Sequence, residues 1–293
     1  MKKYFSFFLS FIILINLSSC SLNQTISSSV DNNNSSVNSS VNSTAASDLP
    51  VKNKIISLSV SYYHIFAIRE DGSLWGWGAN NHGQLGDGTT TDCYKPKQIM
   101  SGGVKAVATG CNFTAILKTD GSVWTFGHNL YGQLGDGTTS DGSLIPKKID
   151  IKDILSIKAC SFHTAVIKTD NSLWFWGGVV INTASTDCTV PKIITDNVKE
   201  FATGCEHILI LKNDGSLYVW GNNQNGQLGD GTKNDTEIPK KISIDNVETI
   251  AAGDNFSLAV KKDGTLWAWG SNEYGQFGNG TTESSLVPVQ INY

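Results

Sequence analysis

The sequence is poor in charge and almost without methionine. Asp, Glu, Lys and Arg make up 16% of its 293 residues, and Met occurs 2 times. It has no long run of Lys or Arg, and its formal net charge is −4, so a nucleic-acid partner, which needs a basic stripe, is not expected. The cysteine spacings are not those of a zinc site. No Lys follows the glycine-rich segments, as a phosphate-binding loop would require. No Ser-His-Asp or paired-carboxylate constellation can be picked out. No catalytic residue, metal ligand or cofactor is therefore assigned, and the chain is not read as an enzyme. Glycine (29 residues), tryptophan (8) and asparagine are plentiful, a profile that suits an all-β protein with many tight turns.

The amino terminus reads as an address. Lys2 and Lys3 precede an apolar run from Tyr4 to Ile15 that is too short to span a bilayer comfortably. Leu17-Ser18-Ser19-Cys20 then resembles a bacterial lipobox. That resemblance implies cleavage before Cys20 and attachment of a diacylglycerol to its sulfur, a stable two-chain anchor. The expectation is a signal peptide over 1–19, with the mature protein held at the bacterial cell membrane and facing away from the cytoplasm. From Ser21 to Asp48 the chain is Ser, Asn, Thr and Val with little else. It cannot offset the entropy of ordering, and as a coil it spans about 30 Å. Residues 20–48 are thus the lipidated cysteine and its tether, and 49–293 the folded domain.

That domain is a repeat. Turns beginning at Asp71, Asp120, Asp170, Asp214 and Asp263 mark five copies, a period in the range of propellers and solenoids. Each copy has two short apolar strands, a Trp strand after the Asp turn, a glycine-rich loop and a Pro-X-X-Ile strand. In Leu74-Trp75-Gly76-Trp77-Gly78 the aromatics stand two apart, so they share one face while Leu74 lies on the other. All eight tryptophans fall in this pair of columns. Apolar residues on both faces require every sheet to be covered on both sides. Four-stranded sheets stacked face to face are propeller blades.

The loop N-X-X-G-Q-L-G-D-G-T recurs at Asn80, Asn129, Asn223 and, as G-Q-F-G-N-G-T, at Asn272. Its Leu or Phe is expected to plug the gap between blades. Its single Asp, replaced by Asn279 in the last copy, reads as a structural turn and not as a calcium site. Taken together, a strand ending in Gly, then D-G-X-L-W-X-W-G-X-N-X-X-G-Q-L-G-D-G-T, then P-X-X-I, resembles the regulator of chromosome condensation repeat over nearly all of 51–293. The resemblance implies a β-propeller of four-stranded blades, commonly seven in the family, whereas five are counted here. A closed five-bladed ring is preferred, with Pro288 to Ile291 completing the first blade as a clasp. An open arc is the competing arrangement.

Copy three departs from the pattern: Gly178 to Thr189 lacks the G-Q-L-G segment, and Val179, Val180, Ile181 and Asn182 are the candidate interaction surface there. His64, His163 and His207 share a column with Phe113 and Phe256, which marks a packing position. Cys93, Cys111, Cys160, Cys188 and Cys205 are expected to be unpaired thiols, with Cys160 able to approach Cys111 or Cys205. The functional expectation is a surface-anchored, non-catalytic module that binds an extracellular protein, with self-association as a further partner class. The alternative is a propeller that binds or cleaves an extracellular glycan.

Overall fold

A computed structural model describes residues 54–178, 180–181, 184–185 and 188–292. The signal, Cys20 and the tether lie outside the described residues. Five antiparallel sheets of four strands follow one another along the chain. The first blade is β1 (Ile55–Val60), β2 (His64–Arg69), β3 (Leu74–Gly78) and β4 (Cys93–Met100). The second is β5 (Val104–Thr109), β6 (Phe113–Lys118), β7 (Val123–Gly127) and β8 (Ser143–Ile149). The third is β9 (Ile154–Cys160), β10 (His163–Lys168), β11 (Leu173–Gly177) and β14 (Cys188–Thr195). Its last two strands are separated by a small hairpin, β12 (Val180–Ile181) with β13 (Ala184–Ser185). The fourth is β15 (Val198–Thr203), β16 (His207–Lys212), β17 (Leu217–Gly221) and β18 (Thr236–Lys241). The fifth is β19 (Val247–Ala252), β20 (Phe256–Lys261), β21 (Leu266–Gly270) and β22 (Ser285–Ile291).

The Asp turns that open each Trp strand are built alike. Asp71 Oδ1 accepts the Ser73 amide at 2.9 Å, and the Ser73 hydroxyl accepts the Trp75 indole N–H at 3.1 Å. The same chain runs from Asp120 through Ser122 to Trp124, and from Asp263 through Thr265 to Trp267. A cation from the second strand lies over the first aromatic of every pair, from Arg69 over Trp75 at 4.0 Å to Lys261 over Trp267 at 4.7 Å. At the other end of the Trp strand, Gly78 sits at φ 108° opposite His64. A β-carbon there would stand 2.3 Å from the Tyr63 carbonyl oxygen, so only glycine fits.

The core lies between the sheets. Phe66, Ile68 and Leu74 of blade one meet Val107, Ile116 and Phe126 of blade two. Equivalent clusters join blades two and three, three and four, and four and five. Leu85, Leu134 and Leu228, from the glycine-rich loops, are fully buried within these junctions. The expected plug is therefore real in blades one, two and four, where the loop seals the gap to the blade that follows.

The ring is not closed. β22 pairs with β21 of its own sheet, and blade one already has its fourth strand in β4, so the expected C-terminal clasp does not form. The Pro strand belongs to the blade that precedes it, which leaves no strand over to lend. Ala268, Phe277 and Ile291 of the fifth blade form a small cluster by themselves. At the other end, Ile55, Ile56, Leu58 and Val60 of β1 are exposed. The five blades make an open arc.

Candidate functional site

The tips linking first and second strands converge on the axis of the arc. Val60, Ser61 and Tyr62 of blade one face Gly110 and Cys111 of blade two across a cavity of about 20 Å³, which Cys160 and Cys205 also line. That volume holds about one water molecule. The expected approach of Cys160 to its neighbours is found here, and among the described residues all five cysteines are thiols, with Cys160 and Cys188 buried. Cys205 Sγ donates to Asp254 Oδ1 at 3.0 Å. Tyr62 lines the same cavity as Cys205. Burial first, and then Cys205, Asp254 and Cys111, push its phenol well above the ordinary tyrosine value. Sequence reasoning had passed over Tyr62 and Asp254, because their proximity arises only when blades one, four and five share an axis.

Behind these tips the three histidines are fully buried. Burial holds His64 and His207 down to about 3, and His163 to about 4, so all are neutral at physiological pH. The Thr114 hydroxyl donates to the Gln84 carbonyl at 2.8 Å, and must then accept from His64 Nε2–H at 2.9 Å. His64 Nδ1 accepts from the Ser61 hydroxyl at 2.7 Å. His207 repeats the arrangement through Ser257, which donates to the Gln227 carbonyl. At His163 the corresponding residue of the next blade is Ile208, and neither ring nitrogen has a partner among the described residues. The column thus serves packing between blades, as the exchange of His with Phe implied. The hydroxyl beside it escaped sequence reasoning, although its own column (Ile65, Thr114, Thr164, Ile208, Ser257) was there to be aligned.

The loops themselves are held by a buried Asn. Asn80 Oδ1 accepts the Leu85 amide at 2.9 Å, while its Nδ2 donates to Asp87 and to the Thr89 and Thr91 carbonyls. Asp87 pairs with Lys97 at 2.7 Å, Asp136 with Lys147 at 2.6 Å and Asp230 with Lys240 at 2.6 Å. Burial opposes ionisation of Asp87, but the bonds from Lys97, Thr89 and Asn80 outweigh it and hold the carboxyl down to about 2. In blade five both partners change together, to Asn279 and Val289. These three carboxylates are thus held in ion pairs within their own blades.

Of the candidate interaction residues, Val180 and Ile181 form β12, which pairs with β13 in a separate two-stranded sheet and does not lengthen β11. Val179 and Asn182 lie outside the described residues. Models of the regulator of chromosome condensation (RCC1) repeat match residues 71–117, 120–167, 214–260 and 263–293, more than half of the chain. The chain belongs to the RCC1-repeat family. A second model of the same RCC1 repeat matches 55–84, 104–133, 198–227 and 247–276, and both leave the Trp strand and loop of copy three unmatched. The Ultraviolet-B receptor UVR8 of Arabidopsis thaliana is 32% identical over 192 residues, 61% of this chain and 44% of that protein. The Secretion-regulating guanine nucleotide exchange factor of Bos taurus is 28% identical over 185 residues, 56% of this chain and 40% of that protein. The chain therefore spans less than half the length of these curated relatives. Among solved structures, Prp20p of Saccharomyces cerevisiae superposes with a TM-score of 0.72 at 23% identity, covering 82% of this RCC1-repeat chain and 64% of the yeast one. That likeness shows the fold.

Proposed function

We propose that this protein is a surface-anchored, non-catalytic interaction module: Cys20 carries the lipid, residues 21–48 are the tether, and the propeller arc engages an extracellular protein. The observation that carries the reading is the commitment of the polar groups. The loop carboxylates Asp87, Asp136 and Asp230 are in ion pairs, His64, His163 and His207 are buried and neutral, and the axial cavity admits about one water. What is left for recognition is a rigid stack of sheets with loops at its edges. Family membership supports the same reading, since yeast RCC1 (Prp20) is known in complex with Kap60 and has binding properties toward Gsp1p and histones. None of those partners is carried over to this chain.

Val179, Val180, Ile181 and Asn182 are the proposed contact surface, because they stand where the repeat is interrupted. Two experiments test the proposal. Palmitate labelling of bacteria expressing the full chain should mark it, and Cys20→Ala should abolish the label; an unlabelled wild-type chain would rule out the anchor. Capture of surface proteins on the full chain should yield a saturable partner that is lost on replacing Val180 and Ile181 with Ser. Turnover of a glycan with no protein captured would favour the glycan reading instead.

A further inference from the structure

Three successive tips at the axis, those of blades two, three and four, each bring a cysteine to the same cavity. They do so in two different ways. Three residues before the His/Phe column stand Ser61, Gly110, Cys160, Gly204 and Gly253, and one residue later Tyr62, Cys111, Ser161, Cys205 and Asp254. At the earlier position glycine has a steric reason. A β-carbon at Gly110 would stand 1.9 Å from the Phe113 ring, one at Gly204 2.2 Å from the His207 ring, and one at Gly253 2.1 Å from the Phe256 ring. Blade three carries a cysteine where these three blades carry none.

The offset sets Cys160 beside Cys111. The Cys111 amide donates to the Ser161 carbonyl at 3.4 Å, so the tip of blade two rests on the tip of blade three next to Cys160. Behind the tips the two sheets share one core, in which Phe113 and Leu134 meet Ala159 and Trp176. Disulfides join α-carbons about 4.4–6.8 Å apart, which is the scale of two chains in main-chain contact. The other thiols are engaged elsewhere. Cys205 Sγ donates to Asp254 Oδ1 at 3.0 Å, while Cys93 and Cys188 donate to the Lys95 and Val190 carbonyls of their own strands.

We infer that Cys111 and Cys160 form a thiol–disulfide exchange site, at which a small-molecule disulfide is reduced and blade two is stapled to blade three. This goes beyond the reading of the protein as an interaction module and depends on neither the lipid anchor nor the proposed contact surface. Cys111 is half-buried and Cys160 buried, and a cavity of about 20 Å³ admits nothing larger than water. Cys160 is therefore reached only through Cys111. The Cys111 thiolate, its proton released to solvent, attacks one sulfur of the disulfide R–S–S–R. That S–S bond breaks, and the departing RS⁻ takes up a proton. Cys160 then gives up its own proton, attacks the Cys111 sulfur of the mixed disulfide and expels the second RSH. Two protein thiols are oxidised and one small disulfide is reduced to two thiols. Because the folded tips hold the two sulfurs together, the bond forms more readily in the native chain than in the unfolded one. By linkage it stabilises the fold by the same factor.

Glutathione is the probe. The full chain is equilibrated with reduced and oxidised glutathione, natively and in urea, then alkylated, cut with trypsin and read by mass spectrometry. Cleavage after lysine puts the three axial cysteines in separate peptides, 106–118, 159–168 and 200–212. The native chain should yield 106–118 linked to 159–168, with an equilibrium constant at least about tenfold above that in urea, or about 30 mV for this two-electron couple. Cys160→Ser should trap the first step, leaving Cys111 joined to glutathione, whereas Cys111→Ser should leave Cys160 a thiol. Should a variant fail to fold by circular dichroism, the wild-type ratio decides alone. A ratio below about tenfold overturns the inference; so does a native bond from Cys160 to Cys205, or glutathione on Cys160 in a folded Cys111→Ser chain. Surface capture and palmitate labelling report on other residues, so their failure leaves this result untouched.

Discussion

His163 is the residue whose surroundings fit it least. Its imidazole is fully buried beside Phe175, with no partner for either nitrogen among the described residues, while Phe113 and Phe256 fill the same column without that burden. His163→Phe is expected to stabilise the protein by about 1 kcal/mol, since a buried polar group left unpaired costs ~1–3 kcal/mol; urea unfolding measures it. His64→Phe, which gives up two hydrogen bonds, should bring no such gain. The three histidines also set a pH dependence. Their folded values are depressed below the ordinary value near 6.5, so the unfolded chain binds more protons in acid. The stability tied to their neutral form is complete above about pH 6.5 and falls as the pH drops toward about 4 and 3. Asp87, also depressed, adds a further loss between about pH 4 and about 2. Replacing all three histidines by Phe should flatten the stability curve between pH 6.5 and 4; an unchanged slope would mean that the rings titrate normally.

At the scale of the element, the unit of stability is a loop together with the blade it covers. Thr114→Val removes the donor to Gln84 and strands the His64 Nε2–H, both buried, at an expected cost of about 1–3 kcal/mol. Amides of residues 80–91, one blade earlier, should exchange faster as a result. Much of this level could be read from the chain. The period of the Asp turns, the two-apart aromatics and the plug residue Leu85 translate directly into strand, face and junction, because each is a local pattern repeated four or five times. Two things were not legible. The partner of a side chain in the next blade, such as Thr114 for His64, depends on how far sheets are rotated about the axis. The ownership of the Pro strand was also ambiguous, since a strand of that pattern can close its own sheet or the next with equal propensity. The hydrogen bonds of β3 with β4 and β21 with β22 decide it.

For the molecule as a whole, an open arc behaves as a one-dimensional stack in which each blade leans mainly on its neighbours. Deleting residues 247–293 should therefore leave blades one to four folded, with a cooperative urea transition of smaller m-value, because less surface is exposed on unfolding. A closed ring would instead lose two junctions at once, and complete loss of the transition would contradict the arc.

The pairing of a loop in one repeat with a hydroxyl in the next bears on how such a chain can change over generations. Repeats are often pictured as beads that can be copied or dropped singly. Here three of the four joins carry a lock on one side and a key on the other, and the two are encoded about thirty residues apart, as with Gln84 and Thr114. A duplication that begins between blades would set mismatched halves together unless both neighbours were of the same kind. The heritable module is the seam, and the boundary between blades three and four, with neither lock nor key, is where repeats could be gained or lost at least cost.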